Sequence, residues 1–218
     1  MGIWSNYNVT LEFTAPLAAS IPKTPDEVRA MLENRKPSEA AFAKMENPAA
    51  VPELAEQVEE EVGASEEAQR GWSTFKRDGQ GIYFEARAVR AHIKDCSQIL
   101  GQGTIDVRSL KSKVANRVYV QPERLRLYGA KGELITTPDG TETRMIHVLT
   151  RQGPRNDVKY IDYVSPPSIM RFQLQVLNDG VVTEDILKAI FEYGGIHGMG
   201  QERSQQFGQY KVRSLERE

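Results

Sequence analysis

The chain has 218 residues, 39% apolar and 27% charged, with a formal net charge of −2 and an isoelectric point near 6.0. That length carries a core needing no staples, and the single cysteine, Cys96, excludes an intramolecular disulfide and a Cys-rich zinc module. No apolar run approaches the roughly 20 residues of a membrane-spanning helix, and the opening MGIWSNYNVT lacks a basic flank and an apolar signal core. A soluble, cytoplasmic protein without a cofactor is expected, folded as one domain over residues 1–218.

The near-zero net charge hides a segregation. Residues 1–69 hold 5 basic and 13 acidic side chains, residues 70–131 hold 13 and 5, and residues 132–218 hold 10 and 12. A positive field centred on 70–131 attracts polyanions, whatever the overall balance.

Val9, Leu11 and Phe13 alternate with polar residues and predict a half-buried strand over 7–13, stopped by Pro16. TPDEVRAMLEN reads as a short helix capped by Thr24. Residues 37–69, rich in Ala, Glu and Pro, predict an exposed acidic insertion, partly helical, with few apolar anchors. A DGQG turn then leads into the short strand GIYFE.

ARAVRAHIKDCSQIL is the best amphipathic helix: Val89, Ile93, Cys96 and Leu100 form an apolar stripe, while Arg87, Arg90 and Lys94 form a separate basic one. Arg108, Lys111 and Lys113 follow in what reads as a basic linker, and residues 133–150 predict a hairpin across TPDG. SIMRFQLQV predicts a strand over 169–177 with Met170, Phe172, Leu174 and Val176 inward. VTEDILKAIFEY predicts a helix capped by Thr183, followed by the loop GGIHGMGQERSQQFG and a closing strand. This order argues an α+β fold, ferredoxin-like (RNA-recognition-motif-like), with helices on one face of an antiparallel sheet and duplication of the unit an open variant.

Gly194, Gly195, Gly198 and Gly200 lie within seven residues, followed by Arg203 and Gly208. No GxxxxGK[ST] is present, and a Rossmann fingerprint would follow a strand and open a helix, the reverse of this order. Two readings remain: a helix-to-strand connection capped by glycine, or a backbone anion nest to which Arg203 adds charge.

Helix–GGIHGMGQERSQQFGQYKV resembles the C-terminal glycine-rich loop of the repeat-associated mysterious protein (RAMP) superfamily, the RNA-binding subunits and processing nucleases of CRISPR systems. The resemblance rests on Gly198, Gly200, Arg203 and Phe207–Gly208. Gln206 stands where the family commonly has a third glycine, and the spacing is a residue longer. The helix after GIYFE is similar in position to the family's basic helix, with Ile93–Lys94 the one reminiscent pair. A phage or mobile-element relative of the fold is equally compatible. The resemblance implies a ferredoxin-like fold and an RNA partner.

A nucleic-acid-binding protein follows as the leading expectation, with single-stranded RNA the favoured ligand. Gly195, Gly198, Gly200, Gly208 and Arg203 would hold phosphates, with Arg87, Arg90, Lys94, Lys111 and Lys113 as a second track. Trp72, Phe75, Tyr83 and Tyr119 would stack on bases if exposed, and otherwise belong to the core. A homo-oligomer, or a subunit of a larger complex, is the expected assembly. The first alternative is a metal-independent endoribonuclease in which a histidine, His197 best placed, moves protons around a 2′-hydroxyl. The second is a structural protein that assembles through its segregated charge. His92 and Cys96 lie one turn apart without two further ligands nearby, so no metal is expected. His147, in RMIHVLT, reads as a sheet residue.

Overall fold

The computed structural model describes residues 2–19, 21–22, 72–150 and 153–218. The short helix expected over TPDEVRAMLEN and the acidic insertion at 37–69 lie outside the described residues.

In chain order the elements are β1 (Trp4–Phe13), β2 (Leu17–Ala18), β3 (Ile21–Pro22), β4 (Trp72–Thr74), β5 (Lys76–Asp78) and β6 (Gly81–Glu85). Helices α1 (Ala86–Leu100) and α2 (Leu110–Ala115) follow, then β7 (Val118–Gln121), β8 (Arg124–Leu125), β9 (Leu127–Gly129), β10 (Gly140–Thr150), β11 (Gly153–Val164) and β12 (Ser168–Leu177). The chain continues through α3 (Glu184–His197), a 3-10 turn (Arg203–Gln205) and β13 (Tyr210–Arg217). It divides into two compact units, one comprising Met1–Ala18, Gly81–Thr137 and Val164–Glu218, the other Ala19–Gln80 and Pro138–Tyr163.

The first unit is α+β. Its sheet runs β13-β1-β12-β7, every neighbouring pair antiparallel. Read along the chain, β1-α1-β7 and β12-α3-β13 are two β-α-β units, each split by a strand of the other, which is the ferredoxin-like arrangement. The strands expected over 7–13 and 169–177 are neighbours in this sheet, with Tyr7 opposite Leu174 and Leu11 opposite Met170. Period-two patterning fixes that register, because a one-residue slip would turn each apolar set to the other face. Tyr7, Val9, Leu11, Phe13, Met170, Phe172, Leu174 and Val176 are all buried. Val89, Ile93, Cys96 and Leu100 of α1 and Leu187, Ile190 and Phe191 of α3 are buried as well, with the Phe172 and Phe191 ring centroids 6.2 Å apart. Truncating one of these large side chains to alanine costs about 2–5 kcal/mol.

Two local outcomes differ from expectation. The basic linker contains the short helix α2, seated on its buried Leu110 and Val114. Helix α3 does not stop at Tyr193 but runs through Gly194 and Gly195 to His197. Its start is as expected: the Thr183 hydroxyl oxygen accepts from the Ile186 N–H at 3.4 Å.

In the second unit β10 and β11 form an antiparallel hairpin running from Gly140 opposite Tyr163 to Thr150 opposite Gly153. β4 adds in parallel to β11, and β3 pairs with β4. TPDG is therefore not the hairpin turn. The Asp139 N–H donates to the Tyr163 carbonyl at 3.0 Å, so this sequence begins the ladder instead of reversing it. Among the described residues no helix is long and apolar enough to cross a membrane.

Candidate nucleic-acid interface

The glycine-rich run is packed tightly. Gly195 is buried inside α3, where an added Cβ would lie 2.5 Å from the Tyr210 carbonyl oxygen. Gly198 ends the helix, and its N–H donates to the Gly194 carbonyl at 2.9 Å. The Met199 N–H then donates to Gly208 at 2.9 Å and the Gly208 N–H to Pro16 at 2.7 Å, closing the loop on itself and on the end of β1. Gly208, at φ 69°, has no room for a side chain because a Cβ would strike the Met199 backbone. Gly200, at φ 87°, is half-buried, its Cβ direction blocked 2.7 Å away by the Ala18 carbonyl. Packing thus accounts for these glycines. The amides of Gly198, Met199 and Gly208 serve the fold, which leaves the following stretch, up to Ser204, as the ground for any anion nest.

That stretch carries the polar chemistry. His197, Glu202, Arg203 and Ser204 line a cleft of about 460 Å³. Arg203 Nη1 donates to Asp95 Oδ2 at 2.8 Å, and His197 Nε2 lies 3.2 Å from the same oxygen. The His197 ring is stacked on Tyr193, with centroids 5.4 Å apart. The hydrogen bond from Arg203 holds the Asp95 carboxyl below its ordinary range despite partial burial. Sequence reasoning missed Asp95. The available signal was its being the sole acidic residue in ARAVRAHIKDCSQIL.

Beneath this surface group lies a buried one. His92 Nε2 is 2.9 Å from the Tyr210 hydroxyl, and the His92 ring is stacked on His197 with centroids 6.2 Å apart. Burial, followed by the nearby charges of His197 and Arg203, pushes the His92 imidazole down to about 3. Burial, helped by the negative charge of Asp95, pushes the Cys96 thiol up to about 12. Burial also holds the Tyr210 phenol well above its ordinary value. His92 is therefore a neutral core imidazole. Among the described residues no group of three His, Cys, Asp or Glu side chains is arranged to hold a metal ion.

The basic side chains divide. Asp95 and Arg90 lie five residues apart, about 140° around α1, and so leave it on different flanks. Exposed Arg87 pairs with Glu85 at 2.7 Å, and Lys94 is half-buried on the ridge between those flanks. On α2, Lys111 donates to Gln98 Oε1 of α1 at 2.7 Å, and Lys113 is half-buried in the last turn. Arg90 turns the other way, donating to the Ala115 carbonyl at 2.5 Å with its guanidinium over the Tyr119 ring. Of the candidate stacking rings, Phe75 and Tyr83 are core and Tyr119 is exposed. The side chains of Trp72 and His147 lie outside the described residues.

No family model matches the chain, and no curated protein matches it. Among solved structures it is similar to a chain in the cryo-EM structure of the Type III-B Cmr-beta bound to cognate target RNA, at a TM-score of 0.48 and 10% sequence identity. The likeness covers 98% of this chain, which spans 60% of the length of the other.

Proposed function

We propose that the protein binds single-stranded nucleic acid, RNA in preference to DNA, across the surface formed by α1, α2 and the segment after α3, as the resemblance to the RAMP superfamily implies. One observation carries this reading: Arg203 and His197 reach back to Asp95 of α1, so the glycine loop and the basic helix form one surface. Arg203, Lys94, Lys111 and Lys113 supply cations along it, and the cleft beside Ser204 takes a phosphate. Anisotropy titration of a labelled oligouridylate over a range of salt concentrations tests it. Log affinity should fall linearly with log salt, by about 0.7 per phosphate contact, and changing Lys94, Lys111 and Lys113 to Gln should flatten the slope by about 2. Salt-independent binding, or none, overturns the proposal.

A second reading, a histidine-dependent endoribonuclease, is favoured by the placement of His197 beside a carboxylate and an arginine at the rim of a cleft. It requires that the protein cleave RNA without metal and that His197→Ala abolish cleavage while leaving binding intact.

A further inference from the structure

Trp4 of β1 and Tyr119 of β7 are the two most exposed aromatic rings among the described residues, at 41% and 37%. They meet edge to face with centroids 5.6 Å apart. Both stand on the sheet face opposite the one that α1 and α3 cover: Tyr119 pairs with Gln175, whose neighbours Leu174 and Val176 point into the core. Burying large rings is the default, and this pair forgoes it.

Their surroundings are built. The guanidinium of Arg90 lies 4.5 Å from the Tyr119 ring centroid and is anchored from behind by the Ala115 carbonyl. Its Nε is enclosed with no acceptor among the described residues, so one donor of the guanidinium at the ring is left unsatisfied. Gln121 and Gln175 bond to each other at 3.1 Å beside Tyr119, placing amide donors and acceptors at the platform's edge.

We infer that Trp4 and Tyr119, braced by Arg90, form a stacking platform for an unpaired nucleobase, a second site on the flank of α1 away from Arg203. The inference rests on the nucleic-acid reading above and adds to it the part of the ligand recognised. A flat, π-faced, hydrogen-bonding ligand attached to an anion suits an aromatic pair edged by amides and backed by a cation. An aliphatic protein surface would use neither the cation nor the amides. Arg90 is then a positioning residue for the ring and not one of the phosphate contacts.

The test compares an oligouridylate with an abasic ribose-phosphate oligomer of the same length. Tyr119→Leu and Trp4→Leu should each weaken oligouridylate binding about 5- to 150-fold, the equivalent of the ~1–3 kcal/mol typical of one stacked base. Binding of the abasic oligomer and the slope of log affinity against log salt should be those of the parent, and Tyr119→Phe should bind as the parent does. Equal weakening toward both oligomers, with a lowered melting temperature, would make the rings scaffold and overturn the inference. Parental affinity in Tyr119→Leu would overturn it too, as would loss of self-association in sedimentation with RNA binding intact. If the parent binds neither oligomer, the nucleic-acid reading itself falls and the platform with it. That outcome is distinct from a parent that binds both alike, which removes the platform alone.

Discussion

Nη1 of Arg203 lies 2.8 Å from Nε2 of His197, and both atoms reach the same oxygen of Asp95. An arginine N–H can only donate, so in this arrangement His197 Nε2 is the acceptor and the ring proton sits on Nδ1. Asp95 therefore competes with any phosphate for Arg203. Asp95→Asn should release the guanidinium and tighten RNA binding by up to about fivefold, in line with the ~0.2–1 kcal/mol of a solvent-exposed ion pair. Unchanged or weaker binding in anisotropy titrations would contradict this competition.

Arg203 and Gly200 separate grip from packing. Arg203→Ala, removing a 39% exposed side chain, should melt like the parent and bind RNA about 1.5–3 kcal/mol more weakly, the range for a hydrogen bond to a charged group. Gly200→Val forces a β-branched residue to φ 87° against the Ala18 carbonyl and should lower stability by about 1–3 kcal/mol. Calorimetry together with binding per folded molecule checks both. An unshifted melting temperature in Gly200→Val would contradict the packing.

The buried His92 makes the fold acid-sensitive. Its folded-state value, about 3, lies below the ordinary 6.5, so the unfolded chain takes up the proton first as pH falls. Stability from this group is full above pH 6.5 and declines steadily below it, by about 2 kcal/mol at pH 5. Urea titrations at pH 7.5 and 5 should show that loss, and His92→Gln should remove most of the difference. An equal acid loss in the variant would place its origin elsewhere.

Cys96 is fully buried and its thiol is pushed up to about 12, which suppresses both the thiolate and its access to reagents in the folded state. A thiol-specific reagent at pH 8 should label it only as fast as the protein opens, and addition of urea should release the full reaction. Rapid stoichiometric labelling of the native protein would contradict that placement.

Much of the first unit was legible because its strands and α1 carry unbroken periodicities. Val9, Leu11 and Phe13 declare a face, as do Met170 to Val176 and the stripe from Val89 to Leu100. The hairpin was misplaced because TPDG carries the local chemistry of a turn, while the pairing of Gly140 with Tyr163 is a long-range fact. The continuation of α3 through two glycines was hidden for a similar reason. Glycine disfavours a helix locally, and only the closeness of Tyr210 and His92 makes it obligatory there. At the candidate site, His197 and Arg203 stood out within their glycine run, whereas Asp95, more than a hundred residues away, did not. Arg90 looked basic and available on a helical wheel. The Ala115 carbonyl and Tyr119 ring that engage it belong to later elements.

The position of β1 between β12 and β13 has a consequence for how the chain is made. Residues 4–13 find their partners only at 168–177 and 210–217, so one of the central strands of the sheet is synthesised some two hundred residues before its last neighbour. At ~5–20 residues per second the first of those partners follows about 8–30 s later, and until then Val9, Leu11 and Phe13 have no sheet to enter. The sheet of the first unit therefore closes only once residues 210–217 have been made. The unit's long-range strand pairing together with its local helices places it between helical bundles and all-β folds in folding rate.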